Sequence, residues 1–75
     1  GVLIAERAAD REANLQQALE SHRLIGQAVG ILIERHRVLP NAAFQMLKAS
    51  SHNRNLKLRE VARRVIESGL EPDQA

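Results

Sequence analysis

The chain has 75 residues, a formal net charge of +2, a single aromatic residue and no cysteine. This length suits one small domain, and the lack of cysteine excludes disulfide bonds and thiolate zinc sites, which fits a reducing cytoplasm. No apolar run approaches the roughly 20 residues of a membrane span, and the start of the chain, which soon turns acidic, is unlike a signal peptide.

The N-terminal half predicts one long helix over residues 2–37, because this stretch contains no proline and is rich in Ala, Leu, Glu, Gln and Arg. The helix would be about 50 Å long if unbroken. Apolar residues at three- to four-residue spacing, interrupted by Arg11, favour a short coiled coil over residues 1–14. A frayed linker is the alternative, and either would follow a missing upstream region.

The middle of this helix, Ile25–Arg35, is apolar on two sides when successive residues are placed 100° apart. Such a helix is expected to contact its own domain on one side and a partner on the other. Gly26 and Gly30 lie on the same side and would let a second backbone come close. The predicted homodimer interface contains Ile4, Ala8, Leu15, Ala18, His22 and Ile25.

A second helix is predicted from Pro40 to Ser51, because proline suits the first turn of a helix and disfavours helix at the residue before it. Residues 50–55, SSHNRN, have the composition of a turn. Asn55 is the predicted N-cap of the helix that follows.

The third helix has apolar residues at unbroken helical spacing from Leu58 to Ile66, and Gly69 is expected to end it. Residues 70–75 are expected to form a disordered tail. The predicted fold class is therefore all-α, a three-helix bundle over residues 15–69 whose first helix extends N-terminally as a coiled coil.

Positive charge is concentrated in residues 35–59, which contain no acidic residue, whereas the flanking stretches are net negative. Cations near the ends of the first two helices complement the helix dipole. Arg54, Lys57 and Arg59 lie around the start of the third helix, where they oppose the dipole, so a phosphate backbone is the partner that they favour. A solvated face between helices is the alternative.

The sequence predicts neither an enzyme nor a cofactor. His22, His36 and His52 lie 14 and 16 residues apart, whereas paired metal ligands on a helix are three or four residues apart. The acidic residues pair with neighbouring bases or lie near the chain ends, so paired-carboxylate catalysis has no support.

Three blocks of sequence resemble the ANTAR domain, the RNA-binding output module of bacterial antitermination regulators. The blocks are ALESHRLIGQAVGILIERHRV, NAAFQMLKASS and NLKLREVARRVIESG, in the family's order and spacing. The resemblance implies a dimeric three-helix domain that binds paired RNA hairpins with six-nucleotide loops in leader transcripts, so that RNA polymerase reads through. It also implies an upstream GAF or receiver domain in the parent protein.

The sequence departs from the family pattern at Leu39 with Pro40, which replaces the usual polar cap, and at five further positions. Val29 and His22 stand where the family often has Lys and Arg, and Leu56 replaces another basic residue. Ser50 replaces a usual Ala, and Arg37 replaces a Gly that would end the first helix.

The resulting hypothesis is RNA binding without catalysis. Phosphate contacts are assigned to Arg35, Lys48, Arg54, Lys57 and Arg59, and base or loop contacts to Gln27, Asn55, His22 and Arg23. One alternative is a dimerisation module that has lost nucleic-acid binding, as Val29 and His22 suggest. The other is a helix-turn-helix-like DNA-binding module built from the second and third helices.

Overall fold

The computed structural model describes the backbone of residues 2–75 and the side chains of residues 15–75. It contains three helices, α1 (Val2–His36), α2 (Pro40–Arg54) and α3 (Leu58–Ser68), and the described residues form no strand. The all-α, three-helix class is therefore confirmed. Over the same residues, no helix has both the length and the apolar character that a membrane crossing requires.

The core forms where the three helices meet, and each helix contributes fully buried aliphatic side chains. These are Ala28 and Leu32 from α1, Ala43 and Leu47 from α2, and Val61, Ala62 and Val65 from α3. An alanine on every helix lets the backbones approach closely, while the larger side chains fill the remaining space. The predicted apolar stripe of α3 is thus the face that packs.

The helices are arranged with α3 parallel to α1. Arg59, in the first turn of α3, lines a cavity together with Gln17 and Leu24 of α1. At the other end, the side chain of Arg35 contacts the backbone of Gly69, just beyond α3. Three-residue connections, residues 37–39 and 55–57, allow α2 to run back between them.

The two apolar sides of α1 are partly used within the chain itself. Ile25 and Val29 are half-buried and pack against the core of their own bundle. Leu15 and Leu19 remain 65% and 71% exposed on the N-terminal half. The side chains of Ile4 and Ala8 lie outside the described residues, so the coiled coil and its interface stay a prediction.

Gly26 and Gly30 are exposed, and a Cβ atom added at either would meet nothing within 4 Å. No backbone of the described chain comes close to them. The close approach of a second backbone to these glycines stays a prediction.

The helix ends differ from the prediction in two places. Helix α2 continues through Arg54, three residues beyond the predicted end at Ser51, because weak helix formers lower helix stability by only a fraction of a kcal/mol each. Asn55 is not the N-cap of α3: it has a left-handed backbone (φ 54°) and C-caps α2, its N–H donating to the carbonyl of His52. Lys57 occupies the N-cap position of α3 without a side-chain capping bond.

The end of α1 shows how the chain manages without the expected glycine. The helix stops at His36, and Arg37 adopts the left-handed conformation with φ 55°. Its N–H still donates to the carbonyl of Ile33 at 2.8 Å. An arginine thus takes the backbone conformation that glycine adopts most readily.

The tail segment, residues 70–75, forms a structured turn, whereas the sequence predicted disorder. The N–H groups of Gln74 and Ala75 both donate to the carbonyl of Glu71, at 2.9 and 2.8 Å, and Pro72 is buried. Long-range contacts to α1 and α2 hold the segment. Its own composition gives no sign of them.

Candidate nucleic-acid interface

Two of the predicted phosphate-binding arginines donate hydrogen bonds to the tail segment and to the residue just before it. Arg35 donates from Nη2 to the Gly69 carbonyl at 2.6 Å and from Nη1 to Oε1 of Glu71 at 3.2 Å. Arg54 donates from Nη1 to the carbonyls of Pro72 and Ala75, at 2.8 and 2.7 Å. The guanidinium groups therefore hold both ends of the segment.

Glu71 is the acidic centre of this arrangement. Nε2 of His36 donates to both carboxylate oxygens, at 2.9 and 3.0 Å, in addition to the bond from Arg35. The hydrogen bond from His36, supported by Arg35, holds the pKa of Glu71 below its usual range. Because this pKa is lowered, the stabilisation is present above the ordinary carboxyl range and is lost as the pH falls through the lowered pKa.

The other three predicted phosphate contacts are available to a ligand. Lys48 and Lys57 are exposed and Arg59 is half-buried. None of them forms an ion pair with an acidic side chain among residues 15–75. Lys57 and Arg59 lie together at the start of α3, so the unpaired positive charge is greatest there.

Two further arginines of α3, Arg63 and Arg64, share one acidic partner within the helix. Glu60 accepts from Nη2 of Arg63 at 2.6 Å and from Nε of Arg64 at 3.2 Å. The bond from Arg63 and then that from Arg64 lower the pKa of Glu60, and the same carboxylate raises the pKa of Arg63. The i,i+4 spacing of Glu60 and Arg64 on a helix predicts their pair, and the contact with Arg63 is the shorter of the two.

Arg59 lines a cavity of about 280 Å³ between α3 and α1. The α1 residues on its wall include Glu20 and Ser21, and Arg63 lies on the α3 side. His22 and Arg23 of α1 are not among the residues that line this cavity. Both of those side chains are exposed.

Gln27 lies on a different surface. It lines a broad apolar groove between α1 and α3 with Gly30, Ile31 and Ile66, and Glu34 and Arg35 stand at its polar edge. Sequence reasoning missed this groove, since it depends on how α3 packs. Asn55 is exposed, and its left-handed backbone gives it a structural role independent of any ligand.

The residues with described side chains contain no group of three His, Asp or Glu suited to a metal ion. Four of the five cations predicted to bind phosphate form two pairs. Arg35 and Arg54 hold the tail segment, and Lys57 and Arg59 lie at the start of α3 near the middle of α1.

Comparison with known proteins gives one result. The sequence profile of the ANTAR domain matches residues 13–66. No curated protein and no solved structure matches the chain. The matched range includes every predicted RNA-binding residue and stops before the tail segment that holds Arg35 and Arg54.

Proposed function

Because this chain belongs to the ANTAR family, we propose that it binds paired stem-loops in nascent bacterial transcripts and thereby promotes transcription antitermination. The family consists of RNA-binding output domains of antitermination regulators and is regulatory rather than enzymatic. The proposal adds to this the RNA structure that is bound and the residues that bind it.

The observation that carries the proposal is the unpaired positive charge at the start of α3. Lys57 and Arg59 sit where the helix dipole disfavours cations and have no acidic partner among the described side chains. A phosphate backbone supplies the missing partner, and releasing its counterions drives binding. Lys48, exposed on α2, would add a further phosphate contact.

The remaining candidates have less direct support. His22, Arg23 and Gln27 are exposed on α1 and would reach unpaired loop bases, whose edges and faces offer hydrogen bonds and stacking. Asn55 lies beside Lys57 and would contact the same hairpin. Arg35 and Arg54 would contribute only where the tail segment leaves them available.

The test is a double variant, Lys57→Ala with Arg59→Ala, titrated with a two-hairpin RNA carrying six-nucleotide loops at several salt concentrations. We expect weaker binding and a flatter dependence of log K on log salt, by roughly 0.7–0.9 for each phosphate contact removed. Arg54 is left unchanged because it holds the tail segment.

The matched control is Arg63→Ala with Arg64→Ala, which removes the same amount of positive charge, from residues of α3 that are paired with Glu60. We expect a clearly smaller loss of affinity. Equal affinity and equal salt slope in the Lys57/Arg59 variant and the unmodified protein would refute the assignment. Loop-mutated and single-hairpin RNAs test whether paired loops are required.

A second candidate function is a dimerisation module without nucleic-acid binding. The exposed Leu15 and Leu19 favour association, and Val29 and His22 stand where the family often has cations. A folded dimer that binds no RNA hairpin near physiological salt would support it. Duplex DNA, included as a competitor, tests the helix-turn-helix-like alternative: DNA that displaces the hairpin at equal concentration would favour that function.

A further inference from the structure

The tail segment occupies basic side chains that the proposed function assigns to RNA. Arg35 and Arg54 lie in the stretch of residues 35–59 that contains no acid, yet both donate to groups of residues 69–75. The segment thereby removes two of the five predicted phosphate contacts.

The chemistry of the contact resembles phosphate binding. The carboxylate of Glu71 accepts from Arg35 at 3.2 Å and from His36 at 2.9 Å, so an anionic group lies between two adjacent side chains of α1. Guanidinium groups donate to carboxylates and to phosphates in the same manner. The carbonyl oxygens that accept from Arg54 likewise occupy guanidinium N–H groups that would otherwise donate to a phosphate oxygen.

The polar contacts that hold the tail segment are weak enough for a competing ligand to break them. The side chains of Arg35, His36 and Glu71 are 30–35% exposed, so water and salt weaken the ion pair between Arg35 and Glu71, and water competes for the hydrogen bond from His36. Pro72 is buried, and Met46 and Ala49 of α2 line a shallow cavity with it. This apolar contact would let the segment bind at the same place again after it has been displaced.

We propose that the tail segment is an autoinhibitory strap: it occupies the guanidinium groups of Arg35 and Arg54 in the free protein and is displaced by RNA phosphates on binding. This inference rests on the proposed function. RNA binding would then have to overcome the free energy that holds the strap in place. Any change that weakens the contacts of the strap would therefore increase the affinity for RNA.

The test is Glu71→Gln, which keeps the size of the side chain and removes its charge. Titrated with the two-hairpin RNA at fixed salt, this variant should bind about two- to fivefold more tightly, the range spanned by exposed ion pairs. The matched control is Asp73→Asn, the same charge change in the same segment at an exposed residue with no described hydrogen bond or ion pair. It should change affinity much less.

A second measurement follows the segment itself. Heteronuclear NOE values of the Gln74 and Ala75 amides should be high in the free protein, where both donate to Glu71, and should fall when unmodified protein is saturated with RNA. The melting temperature of each variant establishes that it is folded.

The outcomes separate the strap from the proposed function. If Glu71→Gln and Asp73→Asn raise affinity equally, the gain is general electrostatics and the strap is refuted. If the Gln74 and Ala75 amides stay ordered in the RNA complex, it is refuted as well. If unmodified protein and both variants all fail to bind RNA, the proposed function is refuted, and the strap, which rests on that function, is refuted as well.

Discussion

Ser50 is a polar side chain inside an aliphatic core. It is 1% exposed, and its Oγ has no hydrogen-bond partner. Leaving a buried hydroxyl unsatisfied costs about 1–3 kcal/mol. The ANTAR pattern usually has alanine at this position, so the serine is a local source of instability that the fold tolerates.

Replacing Ser50 with alanine should raise the free energy of unfolding by roughly 1 kcal/mol, because the unsatisfied group is removed and little volume is lost. Urea unfolding monitored by circular dichroism measures the change. The control is Ser51→Ala: the Ser51 hydroxyl donates to the carbonyl of Leu56 at 2.6 Å, so its removal should lower stability. A Ser50→Ala variant less stable than the parent would show that the hydroxyl has a partner in solution.

At this scale, sequence identified the charges but not their partners. Arg35 was assigned to phosphate because its local surroundings are basic, and its acidic partner Glu71 lies 36 residues away. A contact of that separation depends on how three helices pack, which local periodicity does not contain. The pair between Glu60 and Arg64 could be predicted, since helical spacing alone brings those residues together.

At the scale of elements, some helix ends could be predicted from the sequence and others could not. The C-terminal end of α3 could be predicted, because Gly69 adopts the left-handed C-cap conformation with φ 71°, whereas its N-cap was predicted at Asn55 and lies at Lys57. The end of α2 could not, because residues 50–54 have turn composition but remain helical until Asn55 turns the backbone. Composition indicates where a helix can stop, and tertiary contacts decide where it does.

Arg37→Gly should stabilise the fold by about 1 kcal/mol, because a left-handed backbone is strained for side chains with a Cβ and unstrained for glycine. The pair between Arg37 and Glu34, at 3.9 Å and more than 80% exposed, contributes little that would be lost. Thermal and urea unfolding provide the measurement.

The control for this prediction is Asn55→Gly at the end of α2, where the backbone is also left-handed. Asparagine tolerates this conformation, so the change there should be only a few tenths of a kcal/mol. An Arg37→Gly variant with lower stability than the parent would mean that the arginine side chain makes a stabilising contact that outweighs the strain.

The whole molecule combines a packed bundle with a projecting helix. Its longest dimension is 52 Å, against 21 and 20 Å in the other directions, which follows from the length of α1. The all-α class could be predicted from helix-forming composition and apolar spacing. The placement of α3 parallel to α1 could not, because no local pattern specifies which faces meet.

We predict that this projecting half mediates association. Leu19→Gln should shift the protein towards monomer in sedimentation equilibrium, because burying this exposed leucine between two chains is favourable. Leu39→Gln is the control, since Leu39 is 77% exposed but lies outside α1. Finding only monomer for the parent at high micromolar concentration would contradict the prediction.

The unbroken course of α1 also has a mechanical consequence. One helix connects the exposed Leu15 and Leu19 to Gln27 and Arg35 within the bundle. Each residue turns the helix by about 100° and advances it by about 1.5 Å. Suppose that a neighbouring molecule packs against the exposed half of α1 with its contacts shifted by one residue along the helix. Gln27 and Arg35 would then be rotated about the helix axis by about a quarter turn relative to that neighbour. The register chosen there sets the direction in which the whole bundle faces.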